Sequence, residues 1–226
     1  EETYTVAPSK IIALGMNYMS HITDDDVLRA GPDNKEKPAE PILFPKTPNV
    51  LIGPGEEIVI PAFLEEYDFD DPRVDYEAEL AVIIGERCKN VPEEEALGYV
   101  YGYTCMNDVS QRNLQRGDKS GWFRGKSLDT FGPIGPQVVR AADIADPQNL
   151  AIRCRLNGAL VQDSNTGMMI FPIAETIAFI SKQITLEPGD IVVTGTPKGV
   201  GELRHGDVVE VEVEGIGVLR NPVVEE

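Results

Sequence analysis

Three carboxylates stand in strand-forming sequence: Glu77 and Glu79 in Asp75-Tyr-Glu-Ala-Glu-Leu-Ala-Val-Ile-Ile-Gly85, and Asp108 at the end of Tyr101-Gly-Tyr-Thr-Cys-Met-Asn-Asp108. Acids among apolar residues are costly to bury unless positive charge compensates them. A hard divalent cation would do so, because such ions prefer oxygen ligands. In a strand, residues i and i+2 share a face. Glu77 and Glu79 therefore point the same way, about 7 Å apart at the backbone, and their carboxylates can converge on one ion. An exposed strand edge with two solvated glutamates fits the local pattern as well. Asp108, ending a second apolar strand, favours the ligand reading. Asp68, Asp70 and Asp71 do not form a calcium loop, since Pro72 intervenes and Arg73 holds the position that needs glycine.

The elements that must position these groups are mostly strands. Lys10–Leu14, residues 56–61, residues 76–84, Tyr99–Met106, Asp190–Thr194, Asp207–Val213 and Val218–Asn221 read as strands. Leu150–Leu156 and Asn157–Val161 read as a hairpin across Asn157-Gly158. Val91–Leu97 reads as a short helix, with Pro92 in its first turn and Gly98 at its end. Met169–Gln183 is the strongest helix, with Phe171, Ala174, Ile177, Ala178 and Ile180 at helical spacing. Ser110–Lys119 reads as a polar, helical turn, and Gly132–Pro136 as a turn-rich connector. Residues 20–48 are polar and proline-rich, the composition of a lid. The expected fold is α+β and β-rich, one domain over residues 1–226.

The chain has 226 residues, 42% of them hydrophobic, and a net charge of −18. Such charge argues against nucleic acid and anionic membrane surfaces as partners. Any site for an anionic substrate must be locally positive. No apolar run reaches the length of a membrane span. Cys88, Cys105 and Cys154 are odd in number and widely spaced, as expected for reduced thiols in the cytoplasm. The first residues are Glu-Glu-Thr, with no initiator Met, which leaves room for a small N-terminal domain ahead of this stretch.

Four long segments, in order, resemble the fumarylacetoacetate hydrolase family. Asp75–Gly85 is similar to its metal strand and Gly102–Arg112 to its third-ligand segment. Lys126-Ser-Leu-Asp-Thr-Phe-Gly-Pro-Ile-Gly-Pro136 is similar to its lysine segment. Pro188-Gly-Asp-Ile-Val-Val-Thr-Gly-Thr-Pro-Lys-Gly-Val-Gly201 is similar to its substrate-carboxylate loop. The resemblance implies a mixed β-roll or sandwich, a homodimer, and Mg²⁺ or Mn²⁺ on Glu77, Glu79 and Asp108. It implies an active-site role for Lys126 and substrate contacts from Gln115, Thr196 and Gly195, with Arg124 as a further positive group. Hydrolytic members carry a His and, three residues on, a Glu; here these positions are His21 and Asp24, one methylene shorter. Such a pair would orient an imidazole as general base for water.

The implied activity is cleavage of a C–C bond in acylpyruvate-type (2,4-dioxo acid) substrates through an enolate held at the metal, as in aromatic catabolism. Oxaloacetate-type decarboxylation and 2-hydroxyhepta-2,4-diene-1,7-dioate isomerisation or tautomerisation share that enolate and stand as alternatives. A non-catalytic dicarboxylate-binding protein is a further one.

Overall fold

A strand covered on both faces reads as a continuous apolar run, and Ala78–Ile84 is such a run, buried at every residue. The computed structural model describes residues 7–23, 36–117, 119 and 122–226. Within them, Ala78–Ile84 (β6) lies inside a seven-stranded sheet. Its neighbours in space are, in order, Ile42–Lys46 (β2), Ile11–Gly15 (β1), Ile191–Val193 (β12), β6, Val100–Asn107 (β7), Gly132–Arg140 (β9) and Leu51–Ile52 (β3). β6 runs antiparallel to both β12 and β7.

A five-stranded sheet orders Ala159–Asn165 (β11), Ala151–Leu156 (β10), Val208–Val213 (β14), Gly217–Glu225 (β15) and Ile58–Ile60 (β4). The two sheets face each other across the main core. Leu80, Val82 and Ile84 of β6 share it with Ile152 and Cys154 of β10 and with Val209, Val211 and Val213 of β14. The alternate residues of β6, Ala81 and Ile83, join Ile11, Ala13, Ile191 and Val193 in a second cluster on the other side of the sheet. Period-two alternation thus sorts β6 between two apolar layers. Val74–Tyr76 (β5), Ser110–Gln111 (β8) and Gly201–Glu202 (β13) make a small third sheet.

Helices are few and short among the described residues: Met19–Ile22 (α1), Glu93–Ala96 (α2), Arg112–Gly117 (α3), Phe123–Lys126 (α4) and Ile173–Gln183 (α5). The β-rich α+β expectation holds. None of these helices is long and apolar enough to cross a membrane.

Four expectations need correction. The strand expected over residues 76–84 is broken at Glu77, where the chain passes from the third sheet to the seven-stranded one. The lid expected over residues 20–48 includes a sheet strand, since β2 pairs with β1 over its whole length. Residues 24–35 lie outside the described residues. The supposed connector Gly132–Pro136 opens the nine-residue strand β9. Pro136 lies in the bulge that interrupts the pairing with β7 and beyond the two residues that β3 covers, and Pro133 has no partner residue on β7. The helix expected from Met169 begins at Ile173, because Pro172 disfavours helical geometry in the residue before it. The Asn157-Gly158 hairpin is as expected, with both residues at positive φ, 52° and 83°.

Candidate metal centre

The break at Glu77 builds the site. Its N–H donates to Asn107 Oδ1 at 2.9 Å, and its carbonyl accepts from the Asp108 N–H at 2.9 Å. The ends of β5 and β7 are thereby stitched together with two acids side by side. Glu79 follows on β6, on the face of Ala81 and Ile83. Oxygen atoms of Glu77, Glu79 and Asp108 lie within 4.8 Å of one another, and all three residues are buried.

Cations surround two of the three acids. Lys126 Nζ bridges Glu77 Oε2 (2.7 Å) and Asp108 Oδ2 (2.6 Å). Lys46 Nζ reaches the other Asp108 oxygen at 2.6 Å and donates to the Lys126 carbonyl at 2.5 Å. Arg112 spans Asp75 Oδ2 (2.7 Å) and Glu77 Oε1 (2.5 Å). Glu79 differs: it accepts from the Gly195 N–H at 2.5 Å and makes no ion pair among the described residues.

The electrostatics follow that division. Burial pushes the Glu77 carboxyl up, but Lys126, Arg112 and His21 outweigh it and hold it well below the usual range. Burial also raises Glu79, and Asp108 and Glu77 add to the rise, so it stays far above the usual range. Burial depresses the Lys46 ammonium despite Asp108. For Lys126 burial acts downward too, yet Asp108 and Glu77 prevail and raise it. Tyr18, fully buried with no hydrogen-bond partner for its hydroxyl among the described residues, is raised by burial and by the Glu79 charge. Three convergent carboxylates, one of them uncompensated, fit a hard divalent cation by donor chemistry.

His21 sits on α1 and is buried, and its positive form would lower the Glu77 carboxyl. Asp24, its expected partner, lies outside the described residues. Gln115 stands on α3 and accepts from Arg112 Nη1 at 2.9 Å. Gly195 holds φ +92° and orients Glu79 through its N–H. Thr196 is buried, donates its hydroxyl to the Ala78 carbonyl at 2.9 Å and accepts from Gln162 Nε2 at 2.9 Å. Its one hydroxyl proton is thus engaged within the protein. Arg124 is exposed and donates to the Tyr67 hydroxyl at 2.7 Å.

Sequence reasoning gave no role to Lys46, Arg112, Tyr18 or Gln162. Arg112 closes the third-ligand segment, but its partners are Asp75 and Glu77 on the other segment, so its spacing from Asp108 carried no signal. Lys46 ends the run Ile42-Leu-Phe-Pro-Lys46, where a lysine terminating apolar residues hints at an inward ammonium.

The fumarylacetoacetate (FAA) hydrolase C-terminal family model matches residues 10–224. The mitochondrial oxaloacetate tautomerase of Xenopus laevis is 46% identical over 226 residues, spanning 96% of this chain and 66% of its own length. The crystal structure of 5-carboxymethyl-2-hydroxymuconate delta-isomerase from Mycobacterium smegmatis has a TM-score of 0.83 at 41% identity, covering 98% of this chain and 80% of that one. Maleylpyruvate hydrolase from Sphingobium sp. SYK-6 has a TM-score of 0.81 at 33% identity, covering 99% of this chain and 74% of that one. Both the match along nearly the whole chain and these identities place it: the protein belongs to the fumarylacetoacetate hydrolase family.

Proposed function

We propose that this chain is a divalent-cation-dependent enzyme that interconverts keto and enol forms of a small 2-oxo diacid of the oxaloacetate type. The observation that carries this reading is the buried cluster of Glu77, Glu79 and Asp108 with the Lys126 ammonium bound between two of them. The tautomerase and isomerase relatives, at 46% and 41% identity, support it. Cleavage of acylpyruvates, the activity expected first from sequence, is the second reading. It is favoured by the burial of His21 and by its electrostatic influence on Glu77, since a general base for water must lie close to the cation centre.

Glu77, Glu79 and Asp108 would hold Mg²⁺ or Mn²⁺. Such an ion would supply Lewis-acid charge that makes the C3 proton of a 2-oxo acid more acidic. Everything else falls to the chain. Arg112 and Lys126 hold Glu77 as a carboxylate, and Lys46 and Lys126 pair with the two Asp108 oxygens. The Gly195 N–H fixes the direction of the Glu79 carboxylate. Lys46, Lys126 and Arg112 offset the charges of Asp75, Glu77 and Asp108 inside a chain of net charge −18, and a bound cation would add the positive charge that an anionic substrate needs. His21 moves the proton at C3, and its burial keeps bulk water from competing.

The test is a turnover screen with Mg²⁺ or Mn²⁺ on enol oxaloacetate, a 2-hydroxy-dienedioate and acetylpyruvate, read by loss of enol absorbance and by product analysis. Decay of the enol signal without release of pyruvate or a free acid is the expected result. Pyruvate plus a free acid from acetylpyruvate would establish the second reading. In either case His21→Asn should lower kcat by about 10²- to 10⁴-fold. Binding of oxalate with no turnover of any of the three substrates would refute both readings.

A further inference from the structure

Glu77 and Glu79 straddle Ala78, and the backbone of Ala78 is held in an unusual way. β12 pairs with β6 only at Ala81–Ile83, and Thr194 extends the contact to the Leu80 carbonyl with its N–H and its hydroxyl. On that side Ala78 has no strand partner. Its N–H donates instead to Gln162 Oε1 at 3.0 Å, and its carbonyl accepts from Thr196 Oγ1 at 2.9 Å. Gln162 Nε2 closes the ring by donating to Thr196 Oγ1 and to the Pro197 carbonyl, both at 2.9 Å. Gln162 belongs to β11, the edge strand of the other sheet, and is buried. The loop lies hard against β11: a Cβ on Gly199 would sit 2.2 Å from the Val161 carbonyl oxygen.

We infer that Gln162 is a positioning residue of the cation centre, acting through Ala78 to set the separation of Glu77 and Glu79 and through Thr196 and Pro197 to hold the loop that carries Gly195. This role rests on the cation-centre reading above. The alternative is a glutamine that only satisfies buried backbone groups. That would affect stability alone, because any satisfied buried amide contributes there. A positioning residue also changes how well the carboxylates converge, and loss of such an outer partner typically weakens metal affinity about 10- to 100-fold.

The experiment titrates Mn²⁺ into the cation-free protein and follows free Mn²⁺ by electron paramagnetic resonance. Wild type, Gln162→Leu and Gln162→Glu are compared, with thermal melting as the check on folding. Gln162→Leu removes the acceptor and both donors, and its dissociation constant should rise about 10- to 100-fold. Gln162→Glu keeps an acceptor for the Ala78 N–H but no donor for Thr196 or Pro197, so a smaller rise is expected. Amide exchange at Ala78 should quicken in the leucine variant. Folded variants that bind Mn²⁺ with the wild-type constant would overturn the role, and if the leucine variant does not fold, the glutamate variant decides. A wild type that takes up no Mn²⁺ overturns the centre itself, a result separable from the first because it precedes any substitution.

Discussion

Replacing Glu79 with glutamine should make the cation-free protein more stable while removing its response to cations. Glu79 is buried, takes a hydrogen bond from Gly195 and makes no ion pair among the described residues. Two unit charges 4.8 Å apart repel by roughly 3.5 kcal/mol at an effective dielectric of about 20. Burial and the Asp108 and Glu77 charges raise Glu79 far above the usual range, so the cation-free chain bears either those repulsions or the cost of protonating Glu79 on folding. The Lys126 ammonium, held between Glu77 and Asp108, offsets about one of the repulsions. Glutamine keeps an oxygen for the Gly195 N–H and removes the charge. Its NH₂ group lacks an assigned acceptor, which costs about 1–3 kcal/mol. The balance is a gain of about 0.5–2.5 kcal/mol, or roughly 1–10 °C in Tm for a chain of this size. The assay is thermal unfolding by circular dichroism, first in chelator and then with saturating Mg²⁺. Wild type should melt lower in chelator and rise with Mg²⁺; Glu79→Gln should start higher and stay unmoved. A variant that melts below wild type in chelator would show that Glu79 is compensated in the cation-free protein, and the charge reasoning would fail.

Other substitutions test other joints of the site. Lys46→Met keeps the aliphatic stem but leaves one Asp108 oxygen and the Lys126 carbonyl without their donor. Breaking a buried pair in this way should cost about 3 kcal/mol, measured by urea unfolding, and an unchanged midpoint would show the ammonium to be dispensable. Gly195→Ala must hold φ +92°, and its Cβ would lie 2.7 Å from Asn17 Cβ. It should lose about 1–3 kcal/mol and weaken Mn²⁺ binding as well, since the Glu79 donor shifts; a variant equal to wild type in both would count against the loop geometry. Burial raises the Asp190 carboxyl, but the Glu187 N–H, Lys10 and Ser9 together outweigh it and hold it below its ordinary value. Its stabilising share is therefore present above the unfolded value of about 3.9 and is lost as pH falls through the folded one. Asp190→Asn should destabilise at neutral pH and flatten the acid limb below about pH 4. An acid limb as steep as wild type would contradict this.

The carboxylates were legible in sequence because an acid in an apolar strand breaks a local rule, and breaking it demands a local reason. Period two then gave the shared face of Glu77 and Glu79 correctly, with Ala81 and Ile83 continuing it in the second apolar cluster. What local pattern could not show was the neutralising set. Lys46 meets Asp108 across 62 positions of chain, and Arg112 reaches Asp75 across 37. Neither pairing leaves a periodic trace. Lys46 was hidden further by its setting, because the prolines around it read as a lid and not as the strand β2. The same punctuation misled at Gly132–Pro136, where proline and glycine stand within β9. The break at Glu77 was invisible for a different reason. Both β5 and β6 are strands of apolar character, and only their partners reveal that the chain changes sheet between them.

The central position of β6 has a consequence for what changes this chain can tolerate. The strand is paired on both sides, with β12 and with β7, and buried along its full length. Adding or deleting one residue between Leu80 and Ile84 would exchange its two faces, turning Glu79 into the core between the sheets and bringing Leu80 to the carboxylates. No neighbouring loop could absorb the slip, because both flanking strands fix the register. Lineages of this fold are therefore expected to vary the identity of these residues while keeping their number. Length variation should collect instead at turns such as Asn157-Gly158, which stands exposed beyond the strand ends.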